Sequence, residues 1–146
     1  MAAVLDTNIL LYAISTDPAE VSKRDIAQRL TTATEWGTST QVLQEFYVNA
    51  TRGKKPTLTV EEASEAVDLM IDMHPCAGMH ASTIQQAIRI RQRYQISYWD
   101  AAVIAAAITL GAKVLYSEDL NHGQVYEGVR VENPFLEFSD LAATAQ

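Results

Sequence analysis

The chain has 146 residues with 11 Lys+Arg against 18 Asp+Glu, a net charge of −7, and this length predicts a single domain over 1–146. Hydrophobic residues at 48% and charged residues at 20% exclude a disordered chain, and the longest near-apolar run, Ala101 to Ile108, is too short to cross a bilayer. A lone cysteine, Cys76, excludes an internal disulfide or a cysteine zinc cluster and points to the reducing cytoplasm.

Met1 to Leu5 lacks the basic segment of a signal peptide. Ala2 to Leu5 reads instead as a short apolar strand, ended by the helix-starting residues Asp6-Thr7-Asn8. Ile9 to Ala13 follows as a short helix, and Pro18 opens a second one through about Ala33. Trp36 to Thr40 predicts a second strand. The next helix carries Leu43, Phe46, Tyr47 and Ala50 at i, i+3, i+4 and i+7. Arg52-Gly53-Lys54-Lys55-Pro56 breaks it, and the capping box Thr59-Val60-Glu61-Glu62 starts a helix ending near Met73.

His74-Pro75-Cys76 is a short strand placed at the sheet edge, because proline cannot donate to a ladder. A helix from about Ala81 to Tyr94 sets Ile84, Ala87, Ile88 and Arg91 on one side. The helix from Ser97 to Leu110 is apolar nearly all round and is expected to be buried. Val114 to Ser117 and Val129 to Val131 complete the strands, and a loose tail is expected from about residue 137.

Strands alternating with helices predict an α/β protein with a parallel sheet and helices on both faces. In such sheets the ligand site lies beyond the carboxyl ends of the strands. Asp6 follows the first strand, Asp119 follows the fourth, and Asp100 opens the buried helix between them. Carboxylates gathered at one sheet end repel each other, and hard divalent cations offset that repulsion. The matching chemistry is hydrolysis of a phosphodiester. Each aspartate also has a plain structural role open to it. Asp6 is a possible N-cap, Asp100 completes a Ser97-x-x-Asp100 capping pattern, and Asp119 suits a turn. Glu45 points away from the apolar stripe of its helix and reads as a solvated surface residue. The acidic balance argues against broad electrostatic capture of nucleic acid, although not against capture through bridging cations.

Asp6-Thr7-Asn8-Ile9-Leu10, Gln44-Glu45-Phe46, Ile96-Ser97-Tyr98-Trp99-Asp100-Ala101-Ala102 and Ser117-Glu118-Asp119-Leu120-Asn121-His122-Gly123 together resemble the four acidic motifs of PIN-domain ribonucleases. In size and layout the chain is similar to bacterial VapC-type toxins. The resemblance implies a three-layer α/β/α fold with sheet order 3-2-1-4-5. It implies a magnesium- or manganese-dependent endoribonuclease, with metal held by Asp6 and Asp100 and with Asp119 and Glu45 completing the pocket directly or through water. Thr7, Asn8, Ser97, Ser117 and Asn121 would hydrogen-bond the carboxylates, metal water or phosphate. The implied partners are an RNA substrate and a cognate antitoxin that inserts Arg or Lys into the pocket, and the implied assembly is a homodimer with no membrane attachment.

Other residues carry weaker signals. Arg52, Lys54 and Lys55 form a basic loop that either contacts RNA or only solubilises the loop, and His122 lies close enough to Asp119 to touch substrate, or is structural or solvated. His74 and His80 share no ligand spacing with it. Arg89, Arg91 and Arg93 alternate along their helix and read as solvated. Tyr98 and Trp99 either stack a base or belong to the core. Two other functions compete. A haloacid-dehalogenase-type phosphatase would want a second aspartate where Asn8 stands, and a non-catalytic PIN module would only bind RNA or protein.

Overall fold

The computed structural model describes residues 3–136, so the tail expected from about 137 lies outside the described residues. In chain order the elements are β1 (Ala3–Leu5), α1 (Thr7–Ala13), a 3-10 turn (Pro18–Glu20), α2 (Val21–Ala33), β2 (Trp36–Ser39) and α3 (Thr40–Ala50). They continue with α4 (Val60–Met73), β3 (Cys76–Ala77), α5 (Ala81–Tyr94), α6 (Tyr98–Thr109), β4 (Val114–Tyr116), β5 (Val125–Tyr126) and β6 (Val129–Glu132). Pro18 therefore opens the 3-10 turn, capped by Asp17, and the α-helix starts only at Val21.

The described strands form one sheet in the order β3-β2-β1-β4-β6-β5. The pairs from β3 across to β6 are all parallel. The expected order 3-2-1-4-5 holds with β6 as its fifth strand, and β3 beside Pro75 is the edge. What the sequence reading lacked is β5, paired antiparallel to β6 as a hairpin. Its two-residue turn is Glu127-Gly128, both at positive φ (49° and 86°). Positive φ at both central positions is the requirement of a tight hairpin turn that matches strand twist.

The core is continuous from Val4 and Leu5 through Ile9, Phe46, Ile104 and Leu115 to Val131. Ala101 to Ala107 of α6 are all buried, as the all-round apolar pattern predicts. α5 packs on α6, and α1 packs on α2 and α3, giving the three-layer arrangement. The inner side of α5 departs from expectation. Thr83, Ala87 and Ile90 are buried, while Ile84 and Ile88 stay exposed with Arg91. The alanine-rich α6 presents little bulk, so the two helices meet along a narrow seam that the isoleucine spacing does not mark.

Candidate active site

Strand register builds the site. Leu5 of β1 lies opposite Tyr116 of β4, so the next residue on each strand, Asp6 and Ser117, also come side by side. The backbone confirms it: the Asp6 amide donates to the Tyr116 carbonyl at 3.0 Å, and the Ser117 amide donates to the Glu132 carbonyl at 3.0 Å. Ser117 is completely buried, and its hydroxyl donates to Asp6 Oδ2 at 2.8 Å while accepting from the Asp119 amide at 3.1 Å.

Three consecutive residues after β1 reach three different places. Asp6 takes the Ser117 hydroxyl, and its Oδ1 accepts from the Thr7 amide at 2.8 Å. The Thr7 hydroxyl donates to Glu45 Oε2 at 2.8 Å. Asn8 Nδ2 donates to Asp119 Oδ2 at 3.0 Å. The Asp6-Thr7-Asn8 turn thus ties together carboxylates from β1, α3 and the loop after β4.

Glu45 corrects the sequence reading. It is half-buried and accepts from Gln41 Nε2 at 3.2 Å as well as from Thr7. The buried residues of α3 are Gln41, Val42, Leu43, Phe46 and Ala50. Tyr47, taken as part of the apolar stripe, is only half-buried. The true inner arc is turned toward Gln41, and Glu45 lies one helical turn beyond Gln41 on that side. Gln41, a buried residue that sequence reasoning missed, is what fixes Glu45 from within its own helix.

Asp100 stands in the first turn of α6, half-buried. Its amide donates to the Ser97 hydroxyl at 3.1 Å. The reciprocal bond that makes a full capping box at Thr59 and Glu62 is not formed here, so the Asp100 carboxylate is free of backbone duty.

Charge and burial act together on these acids. Burial pushes the Asp6 carboxyl from 3.8 up to about 6, against the lowering effect of the Ser117 and Thr7 hydrogen bonds, and the negative charges of Asp119 and Glu45 add to the rise. Burial also raises the Asp100 carboxyl. The Ser97 hydroxyl opposes that rise, and the same two charges, Asp119 and Glu45, reinforce it. The two aspartates therefore feel a common field from Asp119 and Glu45.

The residues fit a hard divalent cation. Every donor is oxygen, the preference of magnesium and manganese, and Asn8 Oδ1 is buried with no hydrogen-bond partner. A buried acceptor without a donor is rare enough to need an explanation, and a hydrated cation beside it supplies one. Among the described residues no three His, Cys, Asp or Glu side chains close into a ready-made cage. Magnesium does not require one, since it keeps several waters and binds through one or two carboxylates plus substrate phosphates.

The remaining candidates separate clearly. Ser97 caps α6. Asn121 turns to Gln124 at 3.0 Å, within its own loop, rather than to a carboxylate. His122 Nδ1 accepts from the Asn133 amide at 3.0 Å, which ties the loop after β4 to the end of β6. His74 stacks on Trp36 with centroids 3.6 Å apart. Arg52, Lys54 and Lys55 are exposed after α3 and form no salt bridge among the described residues. Arg89 and Arg93 do share a side of α5, being four residues apart, and line a cavity of about 490 Å³ with Glu127. Trp99 is exposed rather than core. A second missed group is Lys23, which bonds Glu118 Oε2 at 2.9 Å and the Tyr12 hydroxyl at 3.2 Å.

None of the described helices is long and apolar enough to cross a membrane. No curated protein sequence matches the chain closely enough to count as a relative. Solved structures do match. A VapBC2 complex from Rickettsia felis bound to promoter DNA is 20% identical, with a TM-score of 0.63 over 91% of this chain and 98% of that one. Mycobacterium tuberculosis VapC20, described as a sarcin-ricin loop cleaving toxin, is 19% identical, with a TM-score of 0.64 over 81% and 92%. A toxin–antitoxin complex from Klebsiella pneumoniae is 18% identical, with a TM-score of 0.67 over 92% and 98%. At these identities the likeness is one of fold. The sequence model of the PIN domain matches residues 3–128, which include all four acidic positions, and the chain belongs to the PIN domain family.

Proposed function

We propose that this chain is a magnesium- or manganese-dependent endoribonuclease that hydrolyses RNA phosphodiester bonds, acting as the toxin of a type II toxin–antitoxin pair. The observation that carries this reading is the Asp6-Thr7-Asn8 turn, whose side chains gather Ser117, Glu45 and Asp119 around a buried carboxyl. The toxin–antitoxin role leans on the fold neighbours, two of which are described as toxin–antitoxin or VapBC complexes and one as a sarcin-ricin loop cleaving toxin. Membership of the PIN family leaves the haloacid-dehalogenase alternative without support, and Asn8 acts as an amide donor where that chemistry needs an acid.

In this mechanism Asp6 and Asp100 would hold the cation, and Asp119 and Glu45 would engage it directly or through water. The bound cation would lower the pKa of an attacking water and neutralise charge on the phosphoryl oxygens. Ser117 holds Asp6 in one rotamer by a bond that favours its ionised form. Thr7 and Gln41 hold Glu45 from two sides. Asn8 keeps Asp119, otherwise exposed, turned toward the turn after β1. Arg52, Lys54 and Lys55 supply phosphate contacts from the loop beyond α3.

The four acids also define the inhibitor. A guanidinium pairs with a carboxylate through two parallel hydrogen bonds, so a cognate antitoxin places Arg or Lys near Asp6 and Asp100 in competition with metal. The functional assembly proposed is a cytoplasmic homodimer. The alternative reading is a PIN module that binds RNA without cutting it. Cleavage of a diverse RNA pool with manganese separates the two. Wild type cuts, and folded Asp6→Asn and Asp100→Asn each lose at least about 10²-fold in rate, about 2.7 kcal/mol of transition-state stabilisation. Wild-type rates in both variants, or no cleavage by wild type, would sink the nuclease reading.

A further inference from the structure

We propose that the indole of Trp99 is a stacking platform for a nucleobase of the bound RNA, a specificity contact that rests on the nuclease reading above. Trp99 is 64% exposed, whereas the other tryptophan, Trp36, is 3% exposed. A tryptophan carries a large apolar area and is normally mostly buried, so one left in water next to an active-site acid calls for a ligand. Trp99 immediately precedes Asp100 in the first turn of α6.

The indole is held rather than loose. Tyr98 meets it edge to face, with centroids 5.1 Å apart and planes at 76°. Gln41 Nε2 donates to the Trp99 carbonyl at 3.3 Å and to Glu45 Oε1 at 3.2 Å. One buried amide thus fixes the backbone of Trp99 against a carboxylate of the site. Gln41 Oε1 is itself buried without a partner, an acceptor left open at the same junction.

Charge gives the contact its purpose. A chain of net charge −7 with its acids clustered at the site has little electrostatic hold on a polyanion. Stacking needs no charge, tolerates any base, and strengthens binding by about fivefold or more per base. Trp99 supplies at the acidic centre the hold that phosphate contacts there do not.

The test uses full-length protein with magnesium and two probes, adenosine 5′-monophosphate and ribose 5-phosphate. They share the phosphate, differ by the base, and contain no phosphodiester to cut. Because Trp36 is shielded, a ligand-induced change in indole emission belongs to Trp99. The nucleotide should quench that emission and bind at least about fivefold more tightly than the sugar phosphate. Calorimetry should show that preference lost in Trp99→Ala and largely kept in Trp99→Phe, with sugar-phosphate affinity unchanged in both. With an RNA substrate, Trp99→Ala should raise KM and leave kcat nearly intact. Equal binding of the two probes by wild type, or a base preference that survives Trp99→Ala, would overturn the proposal. So would a change in sedimentation mass in Trp99→Ala with base preference intact, which would make the indole a contact between copies. If base preference follows Trp99 but no RNA is cut with manganese, the nuclease reading fails and the stacking site stands. If cleavage depends on Asp6 and Asp100 while base preference ignores Trp99, the nuclease stands and this proposal falls.

Discussion

Asn8 donates its side-chain amide to Asp119 Oδ2 at 3.0 Å across 111 positions of sequence. The bond joins the third residue after β1 to the loop after β4, and it exists because β1 and β4 are parallel neighbours in register. The same register sets Ser117 against Asp6. The site is therefore a product of strand pairing, and its acids are only as well placed as the bonds that lock the two strand ends.

Ser117→Ala tests that lock. It leaves a buried carboxylate oxygen of Asp6 without its donor, which costs about 1–3 kcal/mol at neutral pH. The cost should shrink at pH 5, where Asp6 is mostly protonated. Ser39→Ala removes only the cap of α3, about 0.5–2 kcal/mol, with no such pH dependence. Urea unfolding of both variants at pH 5 and 7.5 distinguishes them. Equal pH behaviour would mean that Ser117 does not serve the Asp6 charge.

Much of this architecture was legible in the sequence. The strand-ending positions of Asp6 and Asp119 follow from short apolar runs stopped by polar residues, and Pro75 marks the edge strand because it lacks a donor. Glu45 was legible only through the family resemblance. Its helix buries an arc set by tertiary packing around Gln41, and taking Tyr47 as core rotates the apparent stripe away from it. The β5–β6 hairpin was missed although Glu127-Gly128 carried a turn signal, since two-residue strands leave almost no periodicity. Trp99 fails the apolar-in rule where the site needs an exposed ring.

The Asp6 carboxyl predicts how metal-free stability varies with pH. Its folded-state value, about 6, lies above the ordinary 3.8. The native state therefore holds this proton more tightly than the unfolded chain does. The resulting stability is present in full below about pH 4 and is lost as pH rises through 6. The difference amounts to about 3 kcal/mol, and the raised Asp100 carboxyl acts with the same sign. With EDTA present, wild type should lose stability between pH 5 and 7.5 by more than Asp6→Asn does. Parallel pH profiles for the two proteins would show that burial does not penalise the Asp6 charge.

Glu118 tests the scaffold beside the site. Its carboxylate accepts from Tyr12 of α1 and from Lys23 of α2, clamping both helices to the residue next to Asp119. Lys23 also lies 4.8 Å from the Tyr12 ring centroid and 5.5 Å from that of Phe135. The ion pair is partly exposed, so its own worth is small, no more than about 1 kcal/mol. Glu118→Gln should lower stability by that amount and reduce RNA cleavage several-fold through a loosened Asp119 loop. Lys23→Met should do the same, and the two changes should be less than additive in a double-mutant cycle. Full additivity would show that the clamp does not act as a unit.

The claim that these acids form a cation site is tested most directly by four melting curves: wild type and Asp100→Asn, each with EDTA and with millimolar manganese. Mutual repulsion among Asp100, Asp119 and Glu45 penalises the metal-free native state, so Asp100→Asn should melt a few degrees above wild type in EDTA, for ~1 kcal/mol of relief. A ligand that binds only the native state stabilises it by about 2.7 kcal/mol at 100 times its Kd. Manganese should therefore raise the wild-type Tm by several degrees and the Asp100→Asn Tm much less. A variant that melts below wild type in EDTA and still gains the full manganese shift would make Asp100 a helix-start residue and contradict the site.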